Sequence, residues 1–291
     1  MNTAMNSPLS SSEALQRPAR PPVVEEDTVF LVDPSIVARR RENRTVLAMR
    51  IVLGVAFLAA WQLASGTLVK EFWVSSPVGV WNALVKLWNT GGMLTYTWAT
   101  VSEAVTGFAF GALAGMALGL LFGANRVIAR ILDPYLVGFY TLPRVALIPL
   151  FVLWFGIGFQ TKVIFTALLV FFPVFMNTLS GVRDVDRDLI DVLRVMGASR
   201  MDTVRKVLVP SALVWLFAGL RISAPYALIG AVVGEMFTSN AGLGYLLSLS
   251  ASQFDTATLF ATLVVITVLG LVLTAAVGQL ERRVLRWQVS R

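Results

Sequence analysis

Six stretches of this chain, at about residues 51–69, 100–122, 135–155, 161–180, 211–236 and 258–280, are apolar over a membrane-crossing length. Each is near the ~20 residues that a helix needs to traverse ~30 Å of hydrocarbon. A backbone surrounded by lipid must satisfy its own hydrogen bonds, so runs of this length and number dictate an all-α integral membrane protein with about six transmembrane helices. Composition agrees. Hydrophobic residues are 56% of 291 positions and charged residues 14%, with a mean hydropathy of +0.73, too apolar for one soluble core of this size. The third run holds Pro143 and Pro149 with Arg144 between them, so it is expected as a half-helix followed by a second helix, or as one interrupted span.

Residues 1–45 are polar and carry Pro18, Pro21, Pro22 and Pro34, which predicts a flexible tail ahead of a transmembrane domain over 46–291. The tail is not a signal peptide, because the first long apolar run begins only near Ile51. Arginine clusters set the orientation. Arg39, Arg40, Arg41, Arg44 and Arg50 precede the first run; Arg126 and Arg130 follow the second; Arg183, Arg187, Arg194, Arg200, Arg205 and Lys206 follow the fourth; Arg282, Arg283, Arg286 and Arg291 end the chain. The alternate connections hold only Lys70, Lys86 and Lys162. The positive-inside rule therefore puts both termini in the cytoplasm of a multi-pass protein.

The net charge of +7 does not point to nucleic acid, since the bases sit in short clusters beside apolar runs, where they act as topology signals. With no Cys and no His, thiol nucleophiles, imidazole bases and the usual zinc sites are excluded, so neither a catalytic residue nor a metal site is expected.

Between the first two runs, Ser76-Pro77 opens a segment in which Val80, Trp81, Leu84, Val85, Leu87 and Trp88 recur at helical spacing. Two readings stand: an interfacial helix with Trp81 and Trp88 at headgroup level, or a loop helix packed on the bundle. Within the second run, Gly107, Gly111, Gly115, Gly119 and Gly123 recur at a strict interval of four and share one helix face. Such a row lets another backbone approach closely, for tight packing inside the subunit or as a surface that slides during transport.

The long connection over 181–210 mixes Asp184, Asp186, Asp188, Asp191 and Asp202 with six bases. Leu189, Ile190, Leu193, Val195 and Met196 form one apolar helical pattern, Gly197 breaks it, and Val204, Val207 and Leu208 start another before Pro210. This spacing predicts two short helices joined at a glycine, the second framed by Gly197 and Pro210 as a rigid lever; taken alone, it also fits a solvated amphipathic hairpin.

The sequence from Asp191 to Gly197, followed by Val207-Leu208-Val209-Pro210, resembles the cytoplasmic loop of permeases of binding-protein-dependent ABC importers. That family's pattern is Glu-Ala-Ala, three residues, Gly, nine residues, Ile, one residue, Leu-Pro. Here Asp191 stands for Glu, Val192 and Leu193 for the alanines, and Val207 and Val209 for Ile and Leu. The resemblance covers about residues 95–285. In Leu142-Pro143-Arg144-Val145-Ala146-Leu147-Ile148-Pro149-Leu150, Trp154-Phe155-Gly156-Ile157-Gly158, Gly219-Leu220-Arg221, Glu235 and Gly242-Leu243-Gly244-Tyr245 the chain is similar to the subfamily importing nitrate, sulfonates and taurine, with relatives for pyrimidine or flavin precursors and aromatic acids.

The resemblance implies a coupling helix formed by Asp191, Val192, Leu193, Gly197, Ala198, Val207 and Pro210, docked on an ATP-hydrolysing subunit. It implies a dimer of such ATP-binding subunits carrying the ATP and Mg, a second permease copy forming a homodimer, an extracytoplasmic solute-binding protein, and the bacterial inner membrane as the setting. The chain needs no cofactor of its own on this reading and is not an enzyme. No lysine follows the glycine pattern of a nucleotide-binding loop, so ATP must bind a partner.

Charges inside the spans are expensive in lipid, so each must face protein or water. Arg221 and Glu235 are fourteen residues apart in the fifth run, about 21 Å along a helix axis, and cannot pair with each other. Either each has a structural partner elsewhere or they contact substrate. Arg144 meets an anion at the broken span or packs on a loop carbonyl. Glu103, near the outer end of the second run, is a solvated edge residue or a determinant of a less strictly anionic substrate, since relatives often carry a base there. The alternative function is a stand-alone transporter driven by an ion gradient, which would show inverted repeats; none is evident.

Overall fold

The computed structural model describes residues 34–124, 126–185, 192–193, 195–238 and 240–286. The described residues are helical almost throughout. Helix α1 (Pro34–Ala64) has a proline in its first described turn, where proline is tolerated, and runs through Ala38 and five arginines, all strong helix formers. Residues 34–45, expected as part of the tail, are therefore helical, while residues 1–33 lie outside the described residues. At 31 residues α1 measures about 46 Å, longer than the hydrocarbon layer, and its apolar part is Thr45–Ala64. The chain up to Val55 forms a unit by itself, and its side chains from Thr45 to Val55 are all exposed.

The remaining unit contains α2 (Glu71–Val74), α3 (Pro77–Asn89), α4 (Gly92–Gly123), α5 (Arg126–Thr141), a 3-10 turn (Arg144–Leu147), α6 (Ile148–Phe155) and α7 (Phe159–Arg183). After these come α8 (Arg200–Thr203), a π-helical turn (Val204–Leu208), α9 (Val209–Thr238), α10 (Leu243–Ser252) and α11 (Thr256–Val284). Among the described residues five helices are long and apolar enough to cross a membrane: α1, α4, α7, α9 and α11.

Helix α7 is the centre of the bundle, with Phe165, Val170, Val174, Phe175 and Leu179 essentially inaccessible. The glycine row of α4 lies directly on it. Gly107 meets Thr166, Gly111 meets Ala167 and Val170, Gly115 meets Phe171 and Val174, Gly119 meets Thr178 and Gly123 meets Val182. Both partners ascend in step, so α4 and α7 run parallel. Two parallel spans consecutive in sequence require the chain between them to return across the full thickness. Neither α5, at about 24 Å, nor α6, at about 12 Å, can do that alone, so the two cross together around the kink at Pro143 and Pro149. The sixth crossing is thus the interrupted span expected from the prolines, divided into two pieces.

Helix α9 packs on α7 in the opposite sense and also touches α4, with Gly181 against Trp215, Gly219 against Pro173 and Asn177, and Gly230 against Thr166. Gly219 and Gly230 meet backbone atoms of α7 and Gly181 meets the Trp215 side chain, so an added Cβ at any of the three would collide with the facing helix. Helix α11 runs antiparallel to α9, Gly270 facing Leu228 and Glu281 facing Arg221. On the apolar stripe of α3, Val80 and Ala83 pack against Ala261 of α11.

Candidate functional site

Three places in the structure carry chemistry that bundle packing alone does not require. The first is the arginine-rich end. Val192 and Leu193 are helical, and the turn closes at Gly197, whose φ is +78°. There the Met196 N–H donates to the Val192 carbonyl at 3.0 Å and the Ala198 N–H to the Leu193 carbonyl at 2.9 Å. This is a Schellman closure, with glycine at the left-handed position that other side chains adopt only under strain. One residue later a new helix is capped. The Asp202 N–H donates to Ser199 Oγ at 3.1 Å, and the Ser199 N–H donates back to Asp202 Oδ2 at 3.2 Å. The Ser199 hydroxyl, then Lys206 at 3.2 Å, hold the Asp202 carboxyl below the usual carboxylate range.

From Arg200 the helix does not stop at Pro210, as the sequence suggests; α8 passes through the π turn into α9 without a break. Proline lacks an N–H and collides with the carbonyl four residues back, and the wider π spacing just before Pro210 relieves both. The result is one rod over 200–238, about 58 Å long, joining the loop to the far end of the bundle. Val207 is buried, Ala198 is half-buried, and Val192, Val195, Met196 and Met201 are exposed, Val195 to 89%. Met201 escaped sequence reasoning because it falls outside the expected helical pattern, and Asp191 lies outside the described residues.

The second place is a cavity of about 650 Å³ at the broken span, between the end of α5, α7 and α9. Arg144, Asn177, Tyr226 and Thr141 supply its polar groups, and Leu169, Pro173, Met176, Ile222 and Ile229 its apolar wall. The Arg144 guanidinium lies 4.8 Å from the centre of the Phe172 ring, a cation–π distance.

The third place is a buried polar cluster at the arginine-poor end. Glu103 of α4 and Lys162 of α7 form an ion pair with side chains 3% and 8% exposed. Glu235 of α9, wholly buried, accepts bonds from Thr100 Oγ1 at 2.7 Å and from the Gly244 N–H at 2.7 Å, while the Leu243 N–H donates to Thr100 Oγ1 at 2.8 Å. Gly242 and Gly244 are small because the Glu235 carboxyl and the Val232 carbonyl occupy the space a Cβ would need. Glu103 is therefore no solvated edge residue. Its partner was hidden because Lys162 sits 59 positions away at a helix start, where sequence alone reads it as a loop base. Arg221 and Glu235 do not meet; Arg221 pairs instead with Glu281 of α11 at 2.7 Å.

Removing one member of a buried ion pair leaves an uncompensated charge, which costs about 3–5 kcal/mol. Lys162→Met should therefore lower the thermal unfolding midpoint sharply in detergent. Adding Glu103→Gln should restore most of the loss, and a double variant no more stable than the single one would disprove the pairing.

These sites belong to a bundle with known relatives. Residues 107–286 match the family model described as a binding-protein-dependent transport system inner membrane component. The formylaminopyrimidine transport permease protein of Halalkalibacterium halodurans is 34% identical over 79% of this chain and 92% of its own length. A putative aliphatic sulfonates transport permease protein of Bacillus subtilis is 34% identical over 82% and 87%, and the riboflavin transport system permease protein of Chloroflexus aurantiacus 34% over 90% and 98%. An inward-facing methionine ABC transporter shares the fold at a TM-score of 0.54 and 22% identity, covering 64% of this chain and 93% of that one. The chain belongs to the binding-protein-dependent transport system inner membrane components and is a permease subunit of an ABC importer.

Proposed function

We propose that two copies of this chain form the path for a small organic anion, with aliphatic sulfonates and heteroaromatic acids as the candidate solutes. The observation that carries the reading is Arg144 at the cavity of the broken span. It sets one cationic group among apolar and aromatic walls in a volume suited to a small organic solute. The arginine-rich end lies in the cytoplasm of a bacterial inner membrane, where a dimer of ATP-binding subunits, loaded with ATP and Mg, grips the face formed by Val192, Val195, Met196 and Met201. A solute-binding protein delivers the anion at the opposite face.

The test is uptake by the reconstituted transporter, with its ATP-binding subunits and receptor, from a panel of sulfonates, nitrate, taurine and heteroaromatic acids. Arg144→Gln should cut uptake of the preferred anion roughly tenfold or more, the loss of about 1.4 kcal/mol or more of charge-assisted binding, with basal ATP hydrolysis retained. Equal uptake by the variant, or preference for a cation, would overturn the anion assignment.

A further inference from the structure

Helix α3 presents two apolar stripes. One, through Val80 and Ala83, is buried against α11. The other, through Val78, Trp81, Val85 and Trp88, follows helical spacing on a separate face and is open, with the two indoles 65% and 68% exposed. The helix is firmly placed. Ser76 caps it by accepting from the Gly79 N–H at 3.1 Å, Ser65 Oγ donates to the Ser75 carbonyl at 2.6 Å, and the Trp61 indole donates to the Val74 carbonyl at 3.2 Å. The open stripe is therefore held in a fixed orientation between the end of α1 and the start of α4.

We propose that this stripe is a lipid-binding surface that seats α3 in the headgroup layer of the leaflet at the arginine-poor end. Tryptophan favours that layer because its flat apolar body enters the acyl boundary while its N–H stays hydrated. The distribution of indoles favours lipid over a protein partner. Trp73 of α2, Trp98 near the start of α4 and Trp154 at the end of α6 are also more than 60% exposed, and all lie at the same end of the bundle. Exposed indoles spread over four elements form a girdle rather than one docking patch. The basic residues nearby, Lys70 and Lys86, suit anionic headgroups.

The chain has no cysteine, so single-cysteine variants need no background removal. Trp81→Cys and Trp88→Cys, spin-labelled in the full chain within phosphatidylethanolamine–phosphatidylglycerol vesicles, should collide more with oxygen and less with an aqueous nickel chelate than a label at Gln253. Nickel accessibility equal to that at Gln253, or protection from both reagents by protein, would overturn the proposal. A second measurement leaves the indoles in place. Brominated lipid should quench emission of the unaltered chain, and the double variant Trp81→Phe/Trp88→Phe, which removes two of 8 tryptophans, should lose about a quarter of the quenchable signal or more. An unchanged quenchable signal would equally refute lipid contact.

Discussion

Gly115→Leu should abolish assembly of the bundle. A Cβ at Gly115 would stand 2.8 Å from the Phe171 carbonyl oxygen and 3.0 Å from the Phe175 backbone nitrogen. Both are main-chain atoms of the central helix, so no rotamer change can make room, and α4 must move away from α7 as a body. Separation loses contacts along the whole glycine row, because Gly107 to Gly123 lie on one face and touch the same helix. Alanine at 115 should already cost about 1–3 kcal/mol, and leucine more, against a total stability of about 5–15 kcal/mol. The readout is monodisperse protein recovered in mild detergent, expected to fall by roughly tenfold or more. Gly54→Ala is the matched control, since among the described residues no neighbouring group lies within 4 Å of a Cβ added there. Normal recovery of Gly115→Leu would mean that α4 and α7 do not pack through this face.

The glycine row was legible because its interval of four is a local pattern, readable without knowing the partner helix. The broken third crossing was legible for the same reason, as two prolines and an arginine interrupt an apolar run within a few residues. Hydropathy counts six crossings; length alone finds five helices, and the parallel course of α4 and α7 supplies the missing one. What stayed hidden was non-local. Glu235 depends on Thr100, 135 positions away, and Arg221 on Glu281, so only the fold reveals that these charges are satisfied by the protein itself. Pro210 misled in the other direction. Proline ordinarily ends a helix, but a π turn immediately upstream lets the rod continue, and no composition signal marks such a turn. Membership of the importer permeases also removes the ion-gradient alternative that hydropathy left open.

With ATP-binding subunits seated on the loop as proposed, that continuity would make the loop a transmission element. On that reading a push on the face around Val195 and Met196 would reach the capped end of α8 through the reversal at Gly197 and pass along the continuous helix, which holds Pro225, toward Glu235. The reversal is the weak joint. Gly197 sits at φ +78° and, among the described residues, no atom lies within 4 Å of a would-be Cβ, so substitutions act through backbone strain rather than collision. A β-branched residue is a true outlier at such a φ, whereas asparagine tolerates it. Gly197→Val should therefore unwind the Schellman closure, costing roughly 1–3 kcal/mol locally, while Gly197→Asn keeps it. In the reconstituted transporter Gly197→Val is expected to insert and to hydrolyse ATP, yet to move solute at a small fraction of the normal rate; Gly197→Asn should move it nearly normally. The pair separates geometry from bulk, because valine and asparagine are similar in size and the site has space for either. Equal uptake by both variants would show that the turn does not carry the stroke, and failure of both would place the requirement in glycine's flexibility instead of its left-handed conformation.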